Sequence, residues 1–375
     1  MKKLILILTI LFSFNNAYAL KIKAKAYILK DLNTGKILVS KNAGRFLPPA
    51  STTKLMTLYI LFEKVNNGEL KLTDRLTVSK TAWKKGGSKM FLEPGSKIRV
   101  VDLIKGIAVS SGNDASTVVA EHIAGSEKEF VKLMNAKARE FGMGKTNFVN
   151  ATGWDNKGHV STANDLAILG ERIIKDFPEF YKVFKLKSFK HNGIRQYNKN
   201  TLLGKFGVDG LKTGHVAAIG FNIVSSAKKN QSRYLVVLLG AKSKALRESE
   251  TRKLYEYAYQ NYKSVKIVDS DEIIAQTEVY LGEKRIINLG LKEDYSLNMT
   301  EKEFKSLKAE VEYYPRVNAP IQYGDALGTI TIKHINNKRG KVLDLIAKDS
   351  SPALTGIDKV REMTKYKYNK ENYFN

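Results

Sequence analysis

Apolar and polar positions alternate through "AKAYILKDLNTGKILVSKNA" on both sides of Asn33-Thr34-Gly35, the period of two that half-buried strands show around a turn, and predict a hairpin. From Ser51 to about Ile173 the spacing becomes mostly helical, with polar loops between apolar runs. The first run, Leu55-Met56-Thr57-Leu58-Tyr59-Ile60-Leu61-Phe62, is apolar nearly all round and reads as a buried helix. "GLKTGHVAAIGFNIVSSAKKNQSRYLVVLLGAKS" reads as two strands joined at Lys228-Lys229-Asn230-Gln231, followed by an amphipathic helix to about Tyr262. Strands at both ends of a helical middle predict an antiparallel sheet whose N- and C-terminal strands are neighbours, with helices packed on it, an α+β arrangement. The pattern changes near Val265. The stretches "EIIAQTEVYL", "KRIINLGL", "KAEVEYY" and "ALGTITIKHI" are short strand candidates separated by Gly, Pro or Asn, and predict a small all-β domain. Beyond Ser350 the chain is basic, with Leu354, Ile357, Val360 and Met363 at three-residue spacing, a short amphipathic stripe and not a spanning helix. No internal repeat interrupts this order.

The first residues set the compartment. "MKK" is a basic start, "LILILTILFSF" an apolar stretch too short to span a bilayer, and Ala17-Tyr18-Ala19 an A-x-A cleavage site, so residues 1–19 are expected to be a signal peptide. The expected division is then 20–264 for the first domain, 265–348 for the all-β domain and 349–375 for the tail. The chain has no cysteine, which removes disulfides, a thiol nucleophile and thiolate metal sites, and excludes a lipoprotein anchor. The formal charge of +26 falls by two, to +24, once Lys2 and Lys3 leave with the signal. For an exported protein the available polyanions are wall polymers, lipopolysaccharide and anionic lipid. No nucleic-acid-binding module accompanies the charge, and lysines spread over solvated faces account for it equally.

The chemistry begins at "LPPASTTKLMT". Serine before an apolar-periodic run is a common helix cap, and the two prolines hold the preceding chain extended. Lys54 does not fit that reading, because a capping box wants Glu or Gln there and a cation in the first turn meets the positive end of the helix dipole. Burial and that dipole both disfavour the ammonium, so Lys54 is expected to have a lowered pKa and to reach Ser51, three residues away on one face, as a base. A serine nucleophile also needs an oxyanion hole and groups that grip the substrate. Ser111, Gly112 and Asn113 lie between two helical runs in "VSSGNDAS", and Lys212-Thr213-Gly214 follow the turn-like "GVDG" at the start of a strand. Each alone reads as well as a cap, a turn or a close backbone approach.

Together and in this order, S-x-x-K, S-x-N and K-T-G are the signature shared by penicillin-binding proteins and serine β-lactamases. The sequence resembles the low-molecular-mass (type 5) penicillin-binding proteins of the serine D-Ala-D-Ala carboxypeptidase family over nearly the whole mature chain. "PPASTTKLMT", "SSGNDAS", "TNFVNATGWDNKGHVSTANDLA", "GVDGLKTGH" and "AIGFNIVSSA" carry the likeness, and "APIQYGDALGTITI" resembles the family's C-terminal domain. Val216 after the K-T-G-H run, where relatives often carry Thr, and a tail without a strongly aromatic face depart from the pattern.

The resemblance implies a serine β-lactamase/transpeptidase-like fold followed by the all-β domain. It implies acyl transfer at Ser51 on stem peptides ending in D-Ala-D-Ala, with Lys54 as base and Ser111 as proton relay. The backbone N–H groups of Ser51 and His215 would form the oxyanion hole, and Asn113 would orient the stem peptide. Lys212, Thr213, Gly214 and His215 would line the substrate's grip, with Lys212 further lowering the Lys54 pKa and Arg247 as a second cation. It also implies β-lactams as covalent inhibitors, the periplasm or cell envelope as location, and the tail as a peripheral contact with anionic membrane. No cofactor, metal or nucleic acid is expected: His122, His159, His191, His215 and His334 show no metal-ligand spacing, and His159 reads as structural. Three other readings stay open on the sequence: a D,D-endopeptidase, a β-lactamase, for which residues 141–170 offer no glutamate to activate water, and a non-catalytic wall-binding protein.

Overall fold

Strand pattern turns into sheet through the residues that alternate. In this computed structural model, which describes residues 2–6, 20–229 and 232–371, Ala26–Asp31 (β1) and Ile37–Lys41 (β2) form the expected hairpin. Val208–Val216 (β3), Gly220–Lys229 (β4) and Ser232–Ala241 (β5) complete a five-stranded sheet of order β2-β1-β5-β4-β3, antiparallel throughout. β1 and β5 are neighbours, as the strand–helix–strand order predicts. The "GLKTG…" stretch holds three strands and not two: the chain also reverses between Val216 and Gly220, where "AAI" carries no strong turn signal. β3 begins at Val208, so "GVDG" is mostly strand and Lys212-Thr213-Gly214 sits in its middle.

Both faces of this sheet are buried, which is why β5 reads as a continuous apolar run. Leu235, Val237 and Leu239 face one core with Ala26 and Ile28, and Val236 and Leu238 face the other with Tyr27 and Leu29. The second face is covered by Lys244–Asn261 (α5) through Leu254, Tyr255 and Ala258. The first face carries Lys54–Asn66 (α1), Asn113–Ala124 (α2), Glu127–Glu140 (α3) and Ala163–Asp176 (α4). α1 is the central helix, with every residue from Lys54 to Phe62 buried. Aromatic rings pack around it: Phe62 stacks on Phe180 at 5.0 Å and meets Phe177 and Phe184 edge-on. Gly170 lets α4 lie directly on the sheet, since a β-carbon there would stand 3.1–3.3 Å from Val224, Leu235 and Leu211.

The chain divides into two compact units, one Tyr18–Tyr259 and the other containing Gln260–Asn375 together with the strand Lys2–Leu6. The second unit is built on a seven-stranded sheet, in which Lys2–Leu6 pairs antiparallel with Lys308–Tyr313. The A-x-A site at Ala17-Tyr18-Ala19 lies outside the described residues. All four strand candidates are strands. Tyr295–Met299, Arg316–Asn318 and Asn337–Ala347 are strands the pattern missed. A single helical turn, Glu301–Lys305, started by a Thr300–Glu303 capping box, interrupts the all-β expectation. The tail forms a helix, Gly356–Glu371, with Ile357, Val360 and Met363 exposed. Among the described residues no helix is long and apolar enough to cross a membrane.

Truncating Phe62 to alanine removes a fully buried ring from the aromatic cluster and is expected to destabilise its unit by about 3–5 kcal/mol. The urea transition reporting on that unit measures it, and a loss under 1 kcal/mol would show that the cluster does not anchor α1.

Candidate active site

Ser51 is not a helix cap. It lies inside a 3-10 turn, Ala50–Thr53, entered from Pro49 in helical conformation, and the α-helix proper starts at Lys54. Two glycines press on this turn from different parts of the chain. Gly153 (φ +77°) is so close that a β-carbon would stand 1.9 Å from the Ala50 carbonyl oxygen, and one on Gly214 of β3 would meet Pro49 O at 3.0 Å and Ser51 N at 3.1 Å. Asn222 on β4 donates to the carbonyls of Pro48 and Pro49 and accepts from Gly240 N, tying the proline segment to the sheet. The K-T-G glycine is therefore the close backbone approach that a lone glycine in a strand suggests.

The turn brings the Lys54 amine, fully buried, to 3.2 Å from Ser51 Oγ. Lys54 Nζ also donates to Asn113 Oδ1 at 2.7 Å and to the Thr152 carbonyl at 2.5 Å. Among the described residues no carboxylate bonds it. Burial, and then the charge of Lys199, push its pKa down to about 7. Lys199, which the sequence reading passed over, is a cation acting on Lys54, and Lys54 and Lys212 also repel each other. Lys212, also buried, is itself driven well below the ordinary lysine value by burial and by Lys54, and donates to its neighbour's carbonyl, Thr213 O.

Ser111 occupies the left-handed region (φ 65°, ψ 34°) after the turn Gly106–Ser110, a conformation that costs a serine roughly 1–2 kcal/mol and that the surrounding packing must impose. Asn113 opens α2 and is spanned by two bonds, its Oδ1 accepting from Lys54 and its Nδ2 donating to Gly86 O at 2.7 Å. The loop carrying Thr152 is organised by Asn150, whose Oδ1 accepts from Thr152 N, Thr152 Oγ1, Gly153 N and Trp154 N. His159 is structural: its Nδ1 accepts from Val149 N, its Nε2 meets Thr53 Oγ1 at 2.9 Å, and burial followed by the Lys54 charge lowers its pKa to about 4.

These groups face a cleft of about 670 Å³. Ser51, Ser111 and Asn113 line it together with Thr213, Gly214, His215 and Val216, and Lys199 and Arg247 are also on its wall. Lys212 is not among the lining residues. It is buried within β3. Arg247, in the first turn of α5, is buried, donates to Lys199 O and Glu248 Oε1, and leaves its Nε without a partner. A half-buried serine beside a buried lysine, a second serine, and the cations Lys199 and Arg247 constitute a nucleophile, a base and a grip for an anionic substrate.

The comparisons agree with that chemistry. Residues 13–243 match the family described as D-alanyl-D-alanine carboxypeptidase. The chain belongs to this family. Residues 262–352 match the penicillin-binding protein 5 C-terminal domain. The D-alanyl-D-alanine carboxypeptidase DacC of Escherichia coli (strain K12) is 39% identical over 326 residues, covering 84% of this chain and 81% of that protein. Penicillin binding protein 5 from Haemophilus influenzae has a crystal structure that superposes with a TM-score of 0.75 at 33% identity, covering 90% of this chain and all of that one. Penicillin-binding protein D2 from Listeria monocytogenes, solved in its ampicillin-bound form, has a TM-score of 0.59 at 30% identity and covers 64% of this chain and all of its own. The protein is a serine-type D-alanyl-D-alanine carboxypeptidase with the penicillin-binding fold.

In this carboxypeptidase a glutamate does come near the centre, from a position the sequence search did not cover. Glu127, in the first turn of α3, lines a neighbouring pocket and not the cleft, and both its oxygens are engaged, by Lys85 Nζ at 2.5 Å and Ala151 N at 3.1 Å. Asn150, Thr152, Asn222 and Lys199 were missed because their roles are set by loop closure. Only the polar string "NKN" before β3 hinted at Lys199.

Because the folded state holds the Lys54 proton less tightly than the unfolded chain, the unfolded chain binds more protons between pH 7 and the ordinary lysine value, and stability rises with pH there. The stability advantage of wild type over Lys54→Met is expected to grow as pH is raised from about 7 toward 10, measured by denaturant unfolding at each pH. A difference independent of pH would mean that the amine is not depressed.

Proposed function

We propose that this carboxypeptidase is exported to the cell envelope and removes the terminal D-alanine of peptidoglycan stem peptides through an acyl-enzyme on Ser51. The observation that carries the reading is the buried, carboxylate-free amine of Lys54 at 3.2 Å from Ser51 Oγ. With a pKa about 7, much of this amine is neutral at physiological pH and can take the serine proton as Oγ attacks the carbonyl between the two D-alanines. The tetrahedral oxyanion would be held by the backbone N–H groups of Ser51 and His215, one from the 3-10 turn and one from β3, which Gly214 allows to approach each other. Collapse breaks the C–N bond, and the proton passes from Lys54 through Ser111 to the leaving amine, releasing D-alanine. Water then attacks the Ser51 ester with Lys54 again as base, freeing the shortened peptide and restoring the serine.

The leaving residue's carboxylate suits the part of the cleft lined by Thr213, where Lys199 and Arg247 lie on the wall. Asn113 holds Lys54 through its oxygen, and the amide hydrogen not given to Gly86 O would meet the stem peptide. β-Lactams would acylate the same serine, as the ampicillin-bound relative illustrates. Slow release is expected because Glu127 is paired with Lys85 and lines the neighbouring pocket and not the cleft. The tail helix, with Ile357, Val360 and Met363 exposed among basic residues, supports peripheral contact with anionic membrane.

Ser51→Ala is expected to abolish both D-alanine release from a D-Ala-D-Ala peptide and the penicillin adduct in intact-mass spectra, and a persistent adduct in that variant would sink the assignment. In the wild type, the rate of penicillin acylation is expected to rise with pH through about 7 as Lys54 loses its proton. Stopped-flow acylation rates independent of pH from 5.5 to 8.5 would refute the role of Lys54 as base.

A further inference from the structure

The seven-stranded sheet of the second unit ends on one side in Lys2–Leu6, a strand that export would remove with the rest of residues 1–19. Its neighbour is the six-residue strand Lys308–Tyr313, which then becomes the edge of the sheet. The inner side of Lys308–Tyr313 is fully matched. It pairs residue for residue with Ala326–His334, from Lys308 opposite Lys333 to Tyr313 opposite Gly328. Removal of Lys2–Leu6 leaves the outer side with a row of backbone donors and acceptors, and an edge of that kind is a template for another strand.

Proteins blunt such edges with very short strands, prolines, bulges or inward-pointing charges. The opposite edge of this sheet has two of these, since Arg316–Asn318 is only three residues long and Pro320 follows it. Lys308–Tyr313 has none. It contains no proline, its register with Ala326–His334 runs without a shift, and its inward residues Ala309 and Val311 are apolar, packed in one core with Ile330, Ile332 and Leu345. Its charges, Lys308, Glu310 and Glu312, alternate onto the other face, where Glu310 is paired with Lys333 at 2.6 Å.

The strand seated on this edge shows what fits it. Leu6 stands opposite Ala309 and Leu4 opposite Val311, so apolar positions meet apolar positions two residues apart. Lys3 stands opposite Glu312, a cation against an anion. We propose that in the mature enzyme the edge at Lys308–Tyr313 docks a partner protein of the envelope by strand addition, through an extended antiparallel segment in which basic residues precede apolar residues at alternate positions. Backbone pairing supplies the affinity, and the match to Ala309, Val311 and Glu312 supplies the register. The inference goes beyond catalysis at Ser51 and rests on the removal of residues 1–19 that export implies.

The test uses the enzyme spanning residues 20–375 and a fluorescent peptide that copies residues 1–7, with binding followed by anisotropy. Saturable binding is expected. Methylating one alternate set of the peptide's backbone amides should weaken it about tenfold or more, and methylating the other set should leave it within about twofold, because only every second N–H of a strand points at its partner. Glu312→Lys should weaken binding about three- to fivefold without changing D-alanine release, and a peptide with glutamate in place of both lysines should recover that loss on the variant. Absence of binding, equal effects of the two methylated sets, or binding indifferent to Glu312→Lys overturns the proposal. Dimerisation of residues 20–375 in sedimentation, abolished by Glu312→Lys, would assign the edge to a second copy and overturn it as well. An intact mass showing that enzyme isolated from the envelope keeps residues 2–6 overturns the removal of the leader instead.

Discussion

The site depends on one unfavourable burial. An amine placed out of water with no carboxylate bonded to it loses much of its preference for the proton, and Lys54 is in that position, held by a serine hydroxyl, an asparagine oxygen and a backbone carbonyl while burial and the Lys199 charge outweigh the more distant Asp114 and Glu127. All three acceptors are neutral, so they orient the amine without restoring its charge. The helix behind Lys54 is buried on every side from Lys54 to Phe62, and a helix with no solvated face leaves its first-turn lysine no route by which to snorkel into water. The apolar run that looks like mere core in the sequence is what makes the base a base.

Around this amine the fold converges from separate parts of the chain. The 3-10 turn supplies Ser51, the start of α2 supplies Asn113, the Asn150-organised loop supplies the Thr152 carbonyl, and β3 supplies the opposite wall. Strand β3 contributes from its middle, the helices from their starts, and Ser111 from the left-handed region. Strain of that kind persists only where the surroundings over-determine it.

Much of this was legible from the residues. The spacing of Ser51 and Lys54 gave the pair, the apolar run gave α1, and the strand–helix–strand order gave the neighbouring terminal strands, because period and local sequence carry that information. The three-strand reading of "GLKTGHVAAIGFNIVSSAKKNQSRYLVVLLGAKS" was hidden by a doubly buried sheet, in which apolar residues continue through a turn that has no Asn, Asp or Pro to mark it. Lys212 stands in a recognisable K-T-G run and is coupled to Lys54, whereas Lys199 comes to the site only through the closing of the segment before β3 and was not legible. The short helix in the C-terminal unit does have a local cue, Thr300 with Glu303, which a reading tuned to strand periodicity passed over.

The two glycines that press on the Ala50–Ser51 turn have an implication for how this enzyme can change. Gly153 and Gly214 leave no side chain between their backbones and the nucleophile's own, so the serine is located by main chain against main chain, with no rotamers able to take up slack. Heritable drift at this spot is closed off: any larger residue at either position displaces the nucleophile itself. Variation that alters which molecules acylate the enzyme is thereby channelled outward, to the rim residues such as Val216 and Trp154, where side chains are free to vary while the chemistry stays in register.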